Sequence, residues 1–314
     1  MLPLEQVLSH LPHIGPKRAT QFVAAGCVSW SDVLAANDPL GLGVERWGAV
    51  VAATQRSLAA LAADDPLPLT AALPGREQWR VLHAWFDQAT FFDIETSGLE
   101  PESEVTLVVC LHRGRLLRFL KGDNLDDFLP LLDEVKLLVS FNGSGFDVPR
   151  IEDRFHVPVI PCAHVDLRWI CHHRGWRGGL KAIERQRGLA RPPDLQGIGG
   201  EQAVHLWRLW DETRRAAPRR LLERYCAADV LSLKWLAASV LAEHACAVTV
   251  PEPEALWELV QTELPPPAEA VDLPAALPAI TLPAMAGMAS AVAAAGSRAE
   301  KQRRLRQLWR EMRR

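Results

Sequence analysis

The sequence predicts an α/β protein with a small all-α domain at its start and a largely disordered tail at its end. Three observations predict this class. Residues 75–248 alternate strand patterns with helical patterns, whereas residues 1–72 contain short helical patterns alone. Residues 265–297 hold six Pro and twelve Ala in 33 positions with almost no charge. Such a composition cannot bury a core of its own and predicts a linker or a disordered segment.

The N-terminal region reads as a series of short helices that ends in a linker. The helical segments are LEQVLSHL, PKRATQFVAAG, SWSDVLAA and VERWGAVVAATQRSLAALAA. The next segment, DDPLPLTAALPG, holds three Pro and a Gly over residues 64–75. Because Pro and Gly interrupt regular structure, this stretch predicts the boundary between two domains.

The α/β region begins with a helix, REQWRVLHAWFDQA, and a strand, TFFDIET. A hairpin follows, in which VTLVVCLHRG and RLLRFLKG are joined by a turn at Arg113 and Gly114. DNLDDFLPLLDEV then predicts a helix capped by Asp123 or Asn124, and KLLVSFNG predicts a buried strand. Beyond it the pattern predicts helices as far as about residue 244.

The C-terminal part divides into a Pro/Ala-rich linker, residues 249–297, and a basic helix, residues 298–314. The helix has eight basic and two acidic residues, a net charge of +6. Its composition suits an arm that binds a polyanion, a protein-docking helix or a solubilising tail, and the sequence leaves these three open.

Composition excludes several classes. The net charge of −3 means that any affinity for nucleic acid must come from local clusters of Lys and Arg. Six Cys are scattered without a C-x-x-C pair, which favours reduced thiols over a disulfide framework. The N-terminus lacks the apolar stretch of a signal peptide, and no apolar run predicts a membrane span. We therefore expect a cytoplasmic protein with no membrane partner.

Two carboxylates stand out in the segment FFDIETSGL. Asp93 and Glu95 are two residues apart on a predicted strand, so their side chains point to the same face. Paired carboxylates in partly buried surroundings are costly unless a cation neutralises them. Mg²⁺ and Mn²⁺ take oxygen ligands of this kind. The alternative is a solvated strand end that carries two unrelated acids.

Two further acids favour the metal interpretation. Asp147 is predicted in the first turn of a helix that follows a buried strand and an Asn-Gly turn. Asp229 lies four residues after Tyr225 on a predicted helix, so the two share a face. Two metal ions about 4 Å apart in such an acidic cluster would stabilise the attacking and leaving oxygens of a phosphodiester displacement. Tyr225, the only Tyr in the chain, would orient the attacking water or help to deprotonate it.

These segments resemble a known family. D-I-E-T-x-G, F-N-G-x-x-F-D and Y-x-x-x-D-V resemble the three motifs of the Tyr-containing branch of the DEDD exonuclease superfamily. The stretches between them, among them HVDLRWI and GGLKAIERQRGLAR, are similar to the YprB-like ribonuclease H-like domain family. The resemblance covers residues 88–245 and implies a ribonuclease H-like mixed sheet flanked by helices. It also implies 3′→5′ hydrolysis of single-stranded DNA or RNA with two divalent metals. Metal ligands would be Asp93, Glu95, Asp147 and Asp229.

A basic segment predicts contacts with the substrate strand. Residues 168–191 hold seven basic residues against one acid, with two Trp among them. Arg–phosphate pairing and stacking on aromatic rings hold single strands without reading their sequence. A solvated helix face is the alternative. The residues that we predict to contact nucleic acid in this region are Asn142, Arg168, Arg174, Trp176, Arg177 and Lys181.

The N-terminal segment LPHIGPKRATQFVAAG resembles a helix-hairpin-helix motif. In that motif a Gly turn at a helix start presents backbone N–H groups to a DNA phosphate. The resemblance implies duplex contact through residues 12–20, with Gly15, Lys17 and Arg18 at the phosphate. A short helical hairpin that serves only for packing has the same pattern.

Taken together, the residues favour a metal-dependent 3′→5′ exonuclease. Two alternatives stay open at this stage. One is a module that binds nucleic acid without cleaving it. The other is a structure-guided endonuclease, in which the N-terminal region binds duplex beside a junction.

Overall fold

The fold is described for residues 3–98, 100 and 102–273 of a computed structural model. The basic helix predicted for residues 298–314, and the linker from residue 274 onward, lie outside the described residues. Within them the helices are α1 Pro16–Ala24, α2 Trp30–Ala35, α3 Val44–Ala62, α4 Leu67–Ala72, α5 Gln78–Ala84, α6 Phe128–Leu131, α7 Asp147–Arg154, α8 Leu167–His173, α9 Leu180–Arg187, α10 Gly200–Thr213, α11 Ala216–Glu243 and α12 Pro253–Glu263. The strands are β1 Ala89–Thr96, β2 Val105–His112, β3 Arg115–Leu120, β4 Leu137–Ser140 and β5 Ala163–Asp166.

The five strands form one mixed sheet in the order β3-β2-β1-β4-β5. The first three strands are antiparallel neighbours, while β4 pairs parallel to β1 and β5 pairs parallel to β4. Arg113 and Gly114 both have positive φ angles, 49° and 78°, which a tight two-residue hairpin turn requires. The predicted hairpin and its turn are therefore confirmed, as is the α/β class with a mixed, helix-flanked sheet.

Side chains alternate across β1 and divide the core into two layers. Phe92 and Ile94 pack on one face, against α6 and α7, where Phe128 and Ile151 are buried. Phe91 packs on the other face, in the same core as the buried side chains of α11. Because side chains of a strand alternate between faces, Asp93 and Glu95 belong to the α11 side of the sheet.

Helix α11 forms the centre of that second layer. By length and composition α11 would be long enough to cross a membrane, but 83% of its most apolar window is buried inside the protein. It therefore has the properties of the core helix of the domain, and it contacts both β1 and β2. This packing brings residues 225–229 beside the carboxyl half of β1.

Residues 64–75 were predicted to be a linker, but in the structure they contain a helix and are packed against the core. The helix is α4, with Leu67 and Leu69 buried in the core. Pro is tolerated in the first turn of a helix, where its missing N–H has no partner in any case. Asp64, at the start of the stretch, accepts a hydrogen bond of 2.7 Å from the Trp85 indole. The core of the N-terminal helices thus continues into that of the sheet.

Three further predictions are corrected. The predicted helix after β3 is reduced to a 3₁₀ turn and the four residues of α6. Asn124 does not cap it, since its side chain accepts from the Leu120 N–H at 2.9 Å and donates to the Arg118 carbonyl. The region between residue 141 and residue 244 is not wholly helical, because residues 163–166 pair with β4 as strand β5. Residues 163–166 read Ala-His-Val-Asp, which lacks the continuous apolar run that predicts β4.

The segment predicted as a linker over residues 249–297 begins with helix α12. Its apolar residues Leu256 and Val260 are buried. The fully buried guanidinium of Arg224, on α11, donates to the carbonyls of Val260 and Leu264 and pairs with Asp194 at 2.8 Å. Satisfying the last carbonyls of a helix stabilises its end, which explains an ordered helix in a Pro-rich segment.

Candidate active site

Strand β1 and helix α11 meet at two carboxylates and a thiol. Asp93, Glu95 and Cys226 each have one potential ligand atom within 4.8 Å of the others. The Cys226 thiol donates to the Asp93 carbonyl and to its carboxylate, both at 3.6 Å. Glu95 is only 8% exposed, and among the described residues no hydrogen bond or ion pair reaches its carboxylate. A buried carboxylate without a partner is a costly arrangement that a cation would relieve.

Asp147 approaches the same point from the loop after β4. It is the first residue of α7 and is 4% exposed. Burial raises the pKa of Asp147 to about 7, and the charges of Asp166 and Asp229 act in the same direction. Hydrogen bonds from the backbone N–H groups of Asp147 itself and of Ile94 oppose this shift. The bond from Ile94 ties the carboxylate to β1, directly between Asp93 and Glu95.

Asp229 and Tyr225 come from α11 and differ from the other groups, because cations contact them. The Lys181 ammonium donates to the Tyr225 hydroxyl at 2.7 Å and to the two Asp229 oxygens at 3.1 and 3.3 Å. Arg191 also donates to Asp229. Burial raises the pKa of Asp229, but Lys181 and Arg191 outweigh it, and the net effect is a lowered pKa. The two cations thus favour the ionised form of Asp229.

Asp93, Glu95, Asp147 and Asp229 lie near enough for their charges to act on one another, and we call these four acids the acidic cluster. Of the four, Asp93 and Glu95 have ligand atoms within 4.8 Å of each other. Burial, followed by the charges of Asp229, Asp147 and Glu95, raises the pKa of Asp93 well above its usual range. Burial and the charge of Asp229 do the same for Glu95. The donors are hard carboxylate oxygens from three segments, which suit Mg²⁺ or Mn²⁺. Cations bound between them would remove the mutual repulsion, so the residues present fit the predicted metal ions.

Asp166 connects the loop that carries Asp147 to helix α8. Its carboxylate accepts from the backbone N–H groups of Asn142 at 2.7 Å, Ser144 at 3.0 Å and Arg168 at 3.0 Å. The last of these bonds caps α8. Asp166 therefore holds the Asn-Gly turn in place beside the cluster.

A cavity of about 690 Å³ opens near the cluster, and we call it the side cavity. It is lined by Phe141, Asn142, Arg168, His172, Trp176, Arg177, Gly178, Gly179 and Leu180. Four of the residues predicted to contact nucleic acid are therefore gathered in one place. Lys181 directly follows the lining segment 178–180 and reaches the acidic cluster from there.

Two side chains predicted to contact nucleic acid, those of Arg174 and Trp176, make contacts within the protein instead. Arg174 binds Glu243, at 3.0 Å through the backbone carbonyl and 3.3 Å through the carboxylate. Trp176 is 8% exposed and covered by the Arg187 guanidinium, 4.3 Å from its ring, so it is no open stacking platform. The exposed aromatic residue in this region is Trp169, at 48%, with the Arg168 guanidinium 5.7 Å from its ring.

The predicted helix-hairpin-helix residues are found at the start of α1. Gly15 is the N-cap residue, and both it and Lys17 are exposed. Arg18 donates to the His13 carbonyl at 2.7 Å. The segment before α1 contains a 3₁₀ turn, Pro3–Gln6, instead of a first helix. The motif therefore stays a prediction for residues 12–20.

The sequence reading missed three residues of the site. Arg191 and Glu184 form a buried pair, with Nε–Oε2 at 2.8 Å and Nη2–Oε1 at 2.5 Å. Cys226 lies against Asp93. In the sequence Glu184 and Arg191 are simply two charges of the basic segment 168–191, and nothing indicates that they pair or that Cys226 faces the acids.

The mixed sheet flanked by helices, with the acidic cluster between β1 and α11, is similar to a ribonuclease H-like domain. Residues 90–241 match the family model described as the RNase_H superfamily. The chain is also similar to the solved structure of the family B DNA polymerase from the hyperthermophilic archaeon Pyrobaculum calidifontis. Its sequence identity is 19% and its TM-score 0.38, and the match covers 50% of this chain and 24% of that one. No curated protein matches the chain.

Proposed function

We propose that this protein is a metal-dependent nuclease that hydrolyses phosphodiester bonds of single-stranded DNA or RNA in the 3′→5′ direction. The observation that carries the proposal is the acidic cluster, in which the pKa values of Asp93, Glu95 and Asp147 are raised by burial and by the charge of Asp229. Keeping four such groups together destabilises the fold unless cations bind them. The match of residues 90–241 to the RNase_H superfamily supports nuclease activity in general.

In this proposal the carboxylates of Asp93, Glu95, Asp147 and Asp229 hold two Mg²⁺ or Mn²⁺ ions. Ions in such a site stabilise the attacking and leaving oxygens of the displacement. Tyr225 orients the attacking water through its hydroxyl. Burial and the charges of Asp229, Glu95 and Asp93 raise the Tyr225 pKa well above its usual value. The phenol therefore keeps its proton and acts as a hydrogen-bonding group, not as the base.

The side cavity supports the proposed partner. Arg168 and Arg177 supply charge beside the cluster, and the ring of Trp169 is open to a base. Such a combination binds single strands with little sequence preference. The 3′→5′ direction rests on the resemblance of the three motifs to the Tyr-containing exonuclease branch. Contact with duplex through Gly15, Lys17 and Arg18 is an additional proposal.

A labelled-strand assay tests this function. The full chain is incubated with Mn²⁺ and with 5′-labelled single strands of DNA and of RNA, beside a circular single strand. We expect the labelled strand to shorten stepwise while the circle stays intact. Asp93→Asn is expected to abolish shortening, whereas Glu45→Gln, which removes an exposed acid on α3, serves as the matched control and retains it.

Three other outcomes would indicate a different function or a different active site. Cleavage of the circle would indicate an endonuclease. Tight binding of the strand without cleavage in Mn²⁺ or Mg²⁺ would indicate a binding module. Shortening that persists in Asp93→Asn would show that the acidic cluster is not the site of hydrolysis.

A further inference from the structure

Two cations contact Asp229, and they are held in very different ways. The Arg191 side chain is 7% exposed and makes two parallel bonds to Glu184, whose side chain is 4% exposed. Paired bonds of this kind fix the plane of a guanidinium. Arg191 has no room to leave Asp229 without breaking its buried pair with Glu184, so it is a permanent neighbour of that carboxylate.

Lys181 is more exposed than Arg191 and is not part of a buried ion pair, and its ammonium also donates to the Tyr225 hydroxyl at 2.7 Å. Its side chain is 32% exposed, and its contacts with Asp229 are single bonds of 3.1 and 3.3 Å. It is the second residue of α9, and the helix is preceded by Gly178 and Gly179, which line the side cavity. A lysine has a flexible stem and a point charge without directional pairing. Lys181 can therefore turn between Asp229 and the side cavity.

A divalent cation and Lys181 compete for the same carboxylate. Both are positive, and both would be bound to the oxygens of Asp229 within a buried site, where repulsion between like charges is strong. Arg191 leaves part of that carboxylate to a second partner. An incoming cation therefore has to displace the group that is free to move.

Given the proposed function, on which this inference rests, we propose that Lys181 is an exchangeable counter-ion. It neutralises Asp229 until a divalent cation takes its place, and it then turns toward the side cavity, where its ammonium binds a phosphate of the substrate strand. Metal uptake and strand binding are thereby coupled through one side chain. Lys181 is a positioning residue in this scheme, and Arg191 keeps Asp229 oriented throughout.

Mn²⁺ titration of the full chain without nucleic acid tests the first half. Lys181→Met keeps the stem and removes the charge, and we expect it to bind Mn²⁺ about tenfold more tightly than the wild type, as for two coupled sites. Arg187→Gln is the matched control on the same helix, since Arg187 pairs with Glu243 away from the cluster. It is expected to leave the affinity unchanged. Lys181→Gln provides a second neutral side chain with the same expectation.

Binding of a single strand tests the second half. In chelator, Lys181→Met and the wild type are expected to bind the strand equally. In Ca²⁺, the wild type is expected to bind it several-fold more tightly than the variant. An unchanged or weakened Mn²⁺ affinity in both neutral variants would overturn the inference, although the proposed function would stand. Absence of Mn²⁺ binding to the wild type would instead overturn the proposed function.

Discussion

The ammonium of Lys181 lies 2.7 Å from the hydroxyl oxygen of Tyr225 and 4.5 Å from the centre of its ring. A phenol that accepts this bond directs its own proton elsewhere, toward the acidic cluster or a bound water. Burial and the nearby carboxylates raise its pKa, so the proton stays on the oxygen. Tyr225 is therefore suited to orient a bound water and not to remove a proton from it.

Replacing Tyr225 with Phe tests this role. Loss of an orienting hydrogen bond, with the metal ligands intact, is expected to lower the turnover rate by about 10²-fold, the lower end for a positioned catalytic group. Mn²⁺ affinity is expected to stay within a factor of about two, because no ligand is lost. Steady-state kinetics and Mn²⁺ titration measure the two effects. A Phe variant with wild-type turnover would remove Tyr225 from the mechanism.

Replacing Asp93 with Asn is expected to separate activity from stability. The change removes a charge that Asp229, Asp147 and Glu95 repel within a buried site. In chelator we expect the free energy of unfolding to rise by ~1–2 kcal/mol, or a few degrees in Tm. Activity is expected to be lost. Thermal melting in chelator checks the first effect, with Glu45→Gln as the control. A Tm lower than that of the wild type would show that repulsion among these carboxylates does not destabilise the folded protein.

Trp169 and Arg177 are expected to bind the strand. Trp169→Ala removes an exposed ring, and base stacking contributes about 1–3 kcal/mol per base, so affinity is expected to fall roughly tenfold. Arg177→Gln is expected to weaken binding and to reduce its dependence on salt. Fluorescence anisotropy with a labelled strand in Ca²⁺ measures both. The control is Arg56→Gln, which removes an exposed basic residue on α3. If this variant loses as much affinity for the strand, the protein's overall positive charge is responsible and not these positions.

His10 makes the N-terminal helices sensitive to acid. Burial lowers its pKa from 6.5 to about 4, and its ring contacts Ser57 at 3.0 Å. The folded protein thus binds the proton less readily than the unfolded chain does. Its contribution to stability is complete above pH 6.5 and is lost as the pH falls toward 4, by up to about 3 kcal/mol.

Chemical denaturation across this pH range measures the effect of His10. In His10→Gln the unfolding free energy is expected to fall less steeply below pH 6.5 than in the wild type. His173→Gln, at an exposed position, is the matched control and is expected to follow the wild-type curve. Parallel curves for His10→Gln and the wild type would show that His10 is not the group responsible.

Local patterns in the sequence predicted the elements that carry the acids. Alternation along β1 and the turn at Arg113 and Gly114 depend on neighbouring residues alone, and both could be read directly. Strand β5 could not, because Ala-His-Val-Asp has no continuous apolar run, and it becomes a strand through pairing with β4. Helices α4 and α12 were hidden by their Pro residues, since their stability comes from burial against distant parts of the chain.

The charge pairing within the site could not be predicted from the sequence either. Lys181 and Arg191 are 48 and 38 residues away from Asp229 along the chain, so their contacts depend on the packing of α9 and its following loop against α11. Basic residues near the third motif predicted an electropositive surface. That one of them would be buried and paired with Glu184 follows only from the tertiary fold.

Anomalous diffraction from crystals of the full chain soaked in Mn²⁺ shows whether the acidic cluster binds two divalent cations, as we propose. Two Mn²⁺ peaks about 4 Å apart are expected, each contacted by carboxylates of Asp93, Glu95, Asp147 and Asp229. If no anomalous peak lies at the cluster in crystals soaked in saturating Mn²⁺, the acidic cluster is not a metal site.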